Sequence, residues 1–462
     1  MKGRNDENVP TAKLFGTNGI RAKLDVLNPD LALCASKGFA TYVNCGKILV
    51  CRDMRLTGEM LESAVISGLI SSGAAVIKLG ITPAPTAQLA IKKLSANGCI
   101  NITASHNPPE WNALKFYDSK TVSISRERGA QIEAIMNSGK FKSADWSSIG
   151  KISSYENACS DHARAILNFI NLVKIKKAKK KVIIDYGNGT GSLVMPLVFA
   201  QFGWETIPLN SQLDGTFPGR PSEPTEANLS TLISQVKSQR ADLGIAFDGD
   251  ADRVIFIDEK GTFIFGDKTF ALCVKNKLAQ TGAKGGSVVT TVATSRAVED
   301  IAKENGAKMV YTKVGEPYLA EAMASSSITI GGEEVGGVIW PELHLGKDGL
   351  STAAKICEHV SEAPLSSLIA QLPQYYNSKT KIECAPKQKA EIIAKISDAA
   401  KKEKGAKKVT TIDGIRVDFA DSWVIIRASG TENYVRVFAE AKSEKEAKEL
   451  TDFWKEKCTQ LL

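Results

Sequence analysis

Residues 98–108 read Gly98-Cys99-Ile100-Asn101-Ile102-Thr103-Ala104-Ser105-His106-Asn107-Pro108. An apolar run that ends in small and polar residues predicts a strand followed by a loop. Pro108 and Pro109 forbid a helix directly after it. Ser105 therefore sits on a loop at the end of a strand, with His106 beside it and Lys115 ten residues on. A serine in that place is either turn punctuation, formed for local hydrogen-bond reasons, or a group meant to be reached.

On the N-terminal side, Lys13-Leu14-Phe15-Gly16-Thr17-Asn18-Gly19-Ile20-Arg21 forms a tight turn that presents Arg21. Helical periodicity over 30–42, 58–72 and 85–94 alternates with strand-like runs over 47–53 and 74–80. That alternation predicts an α/β layer domain with a largely parallel sheet. Ligands gather beyond the C-terminal ends of such strands. Ser105 is placed there. Charged, turn-rich sequence over 137–154 suggests a boundary near 150.

A second cycle follows Lys176-Lys177-Ala178-Lys179-Lys180-Lys181, which reads as a solvated helix end or linker, since no aromatic residues interleave the lysines. Gly187-Asn188-Gly189-Thr190-Gly191 follows a strand. Its third glycine falls one place early for a dinucleotide fingerprint, so it reads as a strand-to-helix turn. An irregular proline-rich loop, Asp214–Pro224, comes next. Asp248-Gly249-Asp250-Ala251-Asp252-Arg253 then sets three carboxylates at alternate positions. They would repel one another without a cation, and a hard divalent ion with oxygen ligands resolves this, a metal-free acidic turn being the alternative. An EF-hand loop does not fit, because Arg253 stands where that loop needs glycine and the flanks read as strands. Arg253 beside the carboxylates suggests an anionic group nearby.

A third cycle places strands near 286–291, 308–311 and 327–330. The second of these leads into Lys313-Val314-Gly315, and the third into Gly331-Gly332-Glu333-Glu334-Val335-Gly336-Gly337. A glycine-rich loop with two acids either binds sugar hydroxyls or is a flexible turn. His344 reads as loop structure. From about 378 the pattern changes to a charged helix and short strands, and ends in an amphipathic helix over 444–458. Within this part, Arg427-Ala428-Ser429-Gly430-Thr431 offers a guanidinium fork, two hydroxyls and open backbone N–H groups, which is either the inventory of a phosphate cradle or a plain solvated turn.

The whole chain has 462 residues, enough for three or four domains. Its 59 basic and 51 acidic residues give a formal charge of +8, which suits an anionic substrate as well as nucleic acid. Nine dispersed cysteines without C-x-x-C spacing argue for reduced thiols. No apolar run approaches the ~20 residues needed to span a bilayer. We expect a cytoplasmic protein.

The four loops at 103–108, 248–253, 332–337 and 427–431 resemble the signature loops of the α-D-phosphohexomutase family, in the family's order and across nearly the whole chain. The resemblance implies three related α/β domains with mixed sheets plus a C-terminal α+β domain around a central cleft, divided at 1–152, 153–256, 257–375 and 376–462. It implies a phosphoryl group on Ser105 and one Mg²⁺ held by that group with Asp248, Asp250 and Asp252. Lys115 is the favoured general base, with His106 and Arg21 as further proton-handling or electrostatic groups. Arg253, Lys313, Gly315 and Glu333 would contact substrate. Arg427, Ser429, Gly430 and Thr431 would hold the phosphate that does not react. The implied reaction interconverts hexose 1-phosphate and 6-phosphate through a hexose 1,6-bisphosphate. The chain departs from the family at Val335, where serine or asparagine is frequent, at Ala113 and Ala22, where glycine is usual, and at Asn433, where proline is common. The start Phe15–Arg21 is similar to both phosphoglucosamine mutases and archaeal phosphomannomutase/phosphoglucomutases, and Asp214–Pro224 is more like the latter. A mannose or glucose phosphate is therefore the expected substrate, with glucosamine phosphate the alternative. A metal-dependent sugar phosphatase or a sugar-phosphate or RNA-binding protein stands as the reading from another class. We expect no nucleic-acid or membrane partner, and a monomer or homodimer.

Overall fold

The computed structural model describes residues 14–280, 286–325, 327–429 and 433–461. The chain divides into two compact units. The first runs to Phe263 and takes in Glu342–Glu362, and the second holds Ile264–Pro341 and Ala363–Leu462.

In the first unit, β1 (Ile20–Lys23), β2 (Lys47–Arg52), β3 (Ala75–Ile81), β4 (Gly98–Ile102), β5 (Trp111–Asp118) and β6 (Ile152–Ser154) form a sheet in the order β1-β5-β4-β2-β3-β6. β2 runs parallel to β3 and β4, whereas β5 is antiparallel to both β4 and β1. A second sheet, of β7 (Lys181–Asp185), β8 (Glu205–Leu209), β9 (Leu243–Phe247), β10 (Val254–Ile257) and β11 (Phe263–Ile264), has the order β11-β10-β9-β7-β8. β7 is parallel to β8 and β9, and β10 is antiparallel to β9. In the second unit, β12 (Ser287–Thr291), β13 (Lys308–Thr312), β14 (Ile330–Gly332) and β15 (Val338–Ile339) run in the order β13-β12-β14-β15. Again the first three are parallel and the fourth is antiparallel. The chain then returns to the first unit with β16 (Lys347–Asp348) and the helix Gly349–Val360. The last sheet, β17 (Tyr376–Glu383), β18 (Lys408–Thr410), β19 (Ile415–Asp418), β20 (Trp423–Ala428) and β21 (Tyr434–Ala441), is antiparallel throughout, in the order β17-β21-β20-β19-β18.

One four-strand pattern thus occurs three times: a central strand, its parallel neighbours on either side, and a fourth strand that turns back antiparallel. The largely parallel sheet expected for the first cycle is therefore a mixed one. The turn-back is what matters for function. Ser105 lies between β4 and β5, the three aspartates lie between β9 and β10, and Glu333 lies between β14 and β15. Each is the turn at the C-terminal end of a parallel strand, where polar groups escape the sheet and face ligand.

The supporting helices follow from local chemistry. Pro29–Tyr42 starts where the Asn28 side chain accepts from Leu31 N–H at 2.9 Å, with Pro29 supplying a preset φ. It buries Ala32, Ala35, Ser36, Phe39 and Ala40, the 3–4 spacing of one helix face. These pack with Val50, Ile100, Ile102, Leu114 and Phe116 of the first sheet in one apolar core. Burying each large side chain there contributes roughly 1.5–3 kcal/mol. The lysine run ends the helix Leu172–Ala178 and enters β7, with Lys176, Lys177 and Lys179 exposed. Among the described residues no helix is long and apolar enough to cross a membrane.

Candidate active site

Ser105 leaves β4 in the left-handed region, φ +53°. Its loop is gripped from beneath by Arg55, a guanidinium only 1% exposed. All five Arg55 N–H groups have acceptors. Nε donates to Asp53 Oδ2 at 3.0 Å, and Nη1 to the carbonyls of Pro108 and Trp111 at 2.5 and 2.9 Å. Nη2 donates to the carbonyls of Ser105 and Asn107 at 2.9 and 2.7 Å. Thr103 Oγ1 accepts from Ser105 N–H at 3.0 Å and donates to Asp53 Oδ2 at 2.7 Å. These bonds fix the loop backbone and leave the Ser105 hydroxyl donating to Asp248 Oδ2 at 2.6 Å.

Asp248, Asp250 and Asp252 are buried, each with an oxygen within 4.8 Å of the others. Burial first, then the neighbouring Asp252 and Asp250 charges, push the Asp248 carboxyl well above the usual range. Burial opposes ionisation of Asp252 too, but Lys347, Lys115 and Arg253 hold its carboxyl well below that range. Lys115 Nζ, on β5, lies 2.6 Å from Asp250 Oδ2 and 3.8 Å from Asp252 Oδ2. Lys347 Nζ lies 3.9 Å from Asp252 Oδ2. Asp250 Oδ1 and Asp252 Oδ1 have no hydrogen-bond partner among the described residues. Orphaned buried carboxylate oxygens converging on one point are what a hard divalent cation requires.

Around this centre Arg253 donates its backbone N–H to Asp248 Oδ1 at 3.2 Å, and its guanidinium lies 3.7 Å from Asp252 and 3.6 Å from Glu223. The Arg253 charge, then burial, then the Arg21 charge drive the His106 pKa down, so its imidazole is neutral. Arg21 Nη1 donates to Asn107 Oδ1 at 2.7 Å. Arg21 is presented by the turn at Gly19, which has φ +81° and where a Cβ would lie 2.1 Å from Leu114 O. The first unit therefore brings together Ser105, His106, Lys115, Arg21, Arg253 and the three aspartates.

In the second unit, Val314, Glu334, Lys379, Lys381, Arg427 and Arg436 line a cleft of about 300 Å³. Val314 brings the Lys313–Gly315 loop there, and Gly315 has φ +131°. Asp413 accepts from Val314 N–H at 3.0 Å and forms a 2.8 Å ion pair with Arg427 Nε, whose N–H does not aim along the contact. Glu333 is buried beside Glu334. Burial raises the Glu334 pKa against the pull of Lys379, 2.9 Å away. Ser429 N–H donates to Tyr434 O at 3.0 Å, closing the turn after β20. Gly430 and Thr431 lie outside the described residues.

Comparison with known proteins gives this geometry a lineage. Four models of phosphoglucomutase/phosphomannomutase match: alpha/beta/alpha domain I over residues 12–143, domain II over 160–261, domain III over 265–376 and the C-terminal domain over 380–457. The chain belongs to the phosphoglucomutase/phosphomannomutase, or α-D-phosphohexomutase, family. It is 44% identical to a "Phosphoglucomutase/phosphomannomutase" of Thermococcus kodakarensis, over 95% of this chain and 96% of that one. It is 37% identical to a "Probable phosphoglucosamine mutase" of Methanopyrus kandleri, with the same coverage. The crystal structure of a phosphoglucomutase/phosphomannomutase family protein from Burkholderia thailandensis superposes with a TM-score of 0.86 at 25% identity, covering 97% of both chains.

Three features, two in the first unit and one in the second, are not evident in the motifs. Arg55 and Asp53 follow β2, and only their place at the end of a parallel strand hints at them. Lys347 has no local signal. Asp413 precedes a glycine and reads as turn chemistry. A second buried cluster, His162, His344 and Asp348, also has metal-like spacing. Its lone pairs are already used, however. His162 Nδ1 pairs with Thr86 Oγ1 at 2.8 Å, and His344 Nδ1 accepts from Gly346 N–H at 3.1 Å. His344 Nε2 therefore carries its proton, and the Nε2 atoms of His162 and His344 face Asp348 Oδ2 at 3.1 and 3.3 Å. Asp348 also caps the helix Gly349–Val360 through Ser351 N–H. His344 is loop structure, as its sequence suggests.

Proposed function

We propose that this chain interconverts hexose 1-phosphates and hexose 6-phosphates, using Ser105 as phosphoryl donor and acceptor. The observation that carries the reading is the Ser105 hydroxyl, 2.6 Å from Asp248 within a buried triad of carboxylates. Phosphoryl transfer needs in-line placement and charge neutralisation more than covalent help from the protein. The cations Lys115, Lys347 and Arg253 and the three carboxylates around Ser105 support the second of these.

Asp248, Asp250 and Asp252, with the Ser105 phosphoryl group, would hold Mg²⁺. An ion held there would supply positive charge to offset that of the phosphoryl group. A substrate hydroxyl attacks phosphorus as the Ser105 Oγ–P bond breaks, and a hexose 1,6-bisphosphate forms. Lys115 in its amine form takes the hydroxyl proton and as an ammonium gives it to the Ser105 Oγ that leaves. Neutral His106 and cationic Arg21 and Arg253 line the path of the phosphoryl group. The bisphosphate then presents its other phosphate, which passes back to Ser105 and leaves the isomerised monophosphate. Arg427 and Ser429, with Gly430 and Thr431, grip the phosphate that is not moving. Glu333, Lys313 and Gly315 contact the sugar.

The 44% relative named for glucose and mannose phosphates supports those sugars ahead of glucosamine phosphate, whose named relatives stand at 37%. A panel of glucose, mannose, glucosamine and N-acetylglucosamine 1-phosphates, compared by kcat/KM, tests this, with intact mass read alongside. The glucose and mannose phosphates are expected to lead, on a chain carrying one phosphoryl group at Ser105. No phosphoserine and no 1-to-6 conversion of any sugar would sink the proposal.

A further inference from the structure

The proline-rich loop Asp214–Pro224 has no part in the chemistry above, yet one of its side chains joins the two catalytic turns. Ser222 is buried, 3% exposed. Its Oγ donates to Ser105 O at 3.0 Å and accepts from Gly249 N–H at 3.0 Å. One hydroxyl thus ties the backbone of the serine turn to that of the acidic turn. The approach is tight: a Cβ on Gly249 would stand 2.8 Å from Ser105 O and 2.9 Å from Ser222 Oγ.

Ser222 is itself fixed. Arg220 Nε donates to Asp185 Oδ2 at 2.8 Å and Nη2 to Phe247 O at 2.7 Å. Arg220 Nη1 donates to the carbonyls of Pro221 and Ser222 at 2.9 and 3.2 Å. The loop also reaches the other clamp, with Phe217 under the Arg55 guanidinium at 5.0 Å. Arg55 and Ser222 together satisfy the carbonyl of Ser105, which holds that residue in its left-handed conformation.

We propose that Ser222 is a positioning residue for phosphoryl transfer, its hydroxyl setting where Ser105 Oγ stands relative to the three aspartates. This rests on the reading of Ser105 as phosphoryl carrier. Ser222 acts through the backbone of the two turns that carry the serine and the aspartates, so its loss falls on the chemical step. A displacement near 1 Å at a reacting centre costs about 10²-fold in rate. Lower kcat at constant KM is the signature of a change confined to that step.

The test compares full-length wild type with Ser222→Ala in Mg²⁺. Readouts are kcat, KM, melting temperature and, by intact mass, the rate at which Ser105 gains a phosphoryl group from a hexose 1,6-bisphosphate. We expect kcat and the phosphorylation rate to fall together by about 10–100-fold, with KM within twofold of wild type. Ser222→Thr, which keeps the hydroxyl, recovers most of the rate. If the alanine chain does not fold, Ser222→Cys, with similar volume and a weak donor, carries the same readouts. A wild-type rate without the hydroxyl overturns the inference, as does a loss that merely tracks the unfolded fraction. A wild-type chain that never takes a phosphoryl group at Ser105 overturns the carrier reading and this inference with it, whereas a phosphorylated wild type matched by Ser222→Ala overturns this inference alone.

Discussion

Ser105 occupies a backbone region that costs an L-residue roughly 1–2 kcal/mol. The clamp of Arg55, Thr103 and Ser222 offsets that strain, so the serine is there for its hydroxyl and not for its conformational ease. Two substitutions separate these properties. Ser105→Ala is expected to lose at least about 10³-fold in turnover with its fold intact, because the oxygen proposed to carry the phosphoryl group is gone. Ser105→Gly loses turnover equally but melts higher, since glycine adopts φ +53° freely. A glycine variant that melts below the alanine one would contradict the strain. Asp248 gives a second prediction. Its folded-state pKa is raised by burial and by Asp252 and Asp250, so its contribution to stability is full below the ordinary carboxylate value and is lost as pH rises above it. In chelator, Asp248→Asn should therefore raise the melting temperature at neutral pH and leave it unchanged in acid. The stabilisation that Mg²⁺ gives wild type should shrink in the variant. Thermal melts at two pH values, with and without metal, decide both points.

At the scale of elements, what was legible in the sequence depends on range. The strand Gly98–Ile102, the helices near 30–42 and 58–72 and the strand-flanked aspartate turn follow from periodicity and from the proline and glycine punctuation around them. β17 and β21 have no comparable signal, because each is read only once the other pairs with it. The same limit hid part of the site. Ser105, Asp248, Asp250 and Asp252 stand in short motifs, whereas Arg55 and Ser222 reveal themselves only through carbonyls and N–H groups distant in sequence. β21 carries a further case in Glu440. Its carboxylate accepts from Arg296 N–H and Trp423 Nε1–H, both at 2.8 Å, joining the helix Arg296–Glu304 to the last sheet. Burial, outweighing those hydrogen bonds, lifts its pKa to about 7. The unfolded value lies near 4.5, so the stabilising effect of the protonated form is full below about pH 4.5 and disappears as pH rises through about 7. Glu440→Gln keeps an acceptor and removes the titration. It is expected to stabilise the chain above pH 7 by up to about 3 kcal/mol and to flatten the stability profile between pH 5 and 8. Parallel profiles for the two chains would show that Glu440 does not titrate there.

For the whole molecule, a formal charge of +8 on 462 residues is modest, and its distribution matters more than its size. In the first unit Lys115, Lys347 and Arg253 answer the aspartates. In the second unit the cations are set in register: Arg427 pairs with Arg436 across β20 and β21, and Arg436 with Lys381 across β21 and β17. Residues directly opposite on antiparallel strands share a face, and like charges so placed destabilise a sheet. All three line the cleft together with Lys379. A row of that kind favours a doubly charged phosphate, and Lys381 and Arg436 are exposed, so salt can screen them. The Debye length falls from about 10 Å at 0.1 M salt to about 3 Å at 1 M. Raising KCl from 0.05 to 0.5 M should accordingly raise KM for a hexose 1-phosphate about three- to tenfold. The buried centre at Ser105 lies beyond such screening, so kcat should move by less than about twofold. Lys381→Gln combined with Arg436→Gln should raise KM at low salt and make it less sensitive to KCl. If KM is flat across that range in wild type, or if kcat falls in step with it, the row of cations contributes nothing to binding.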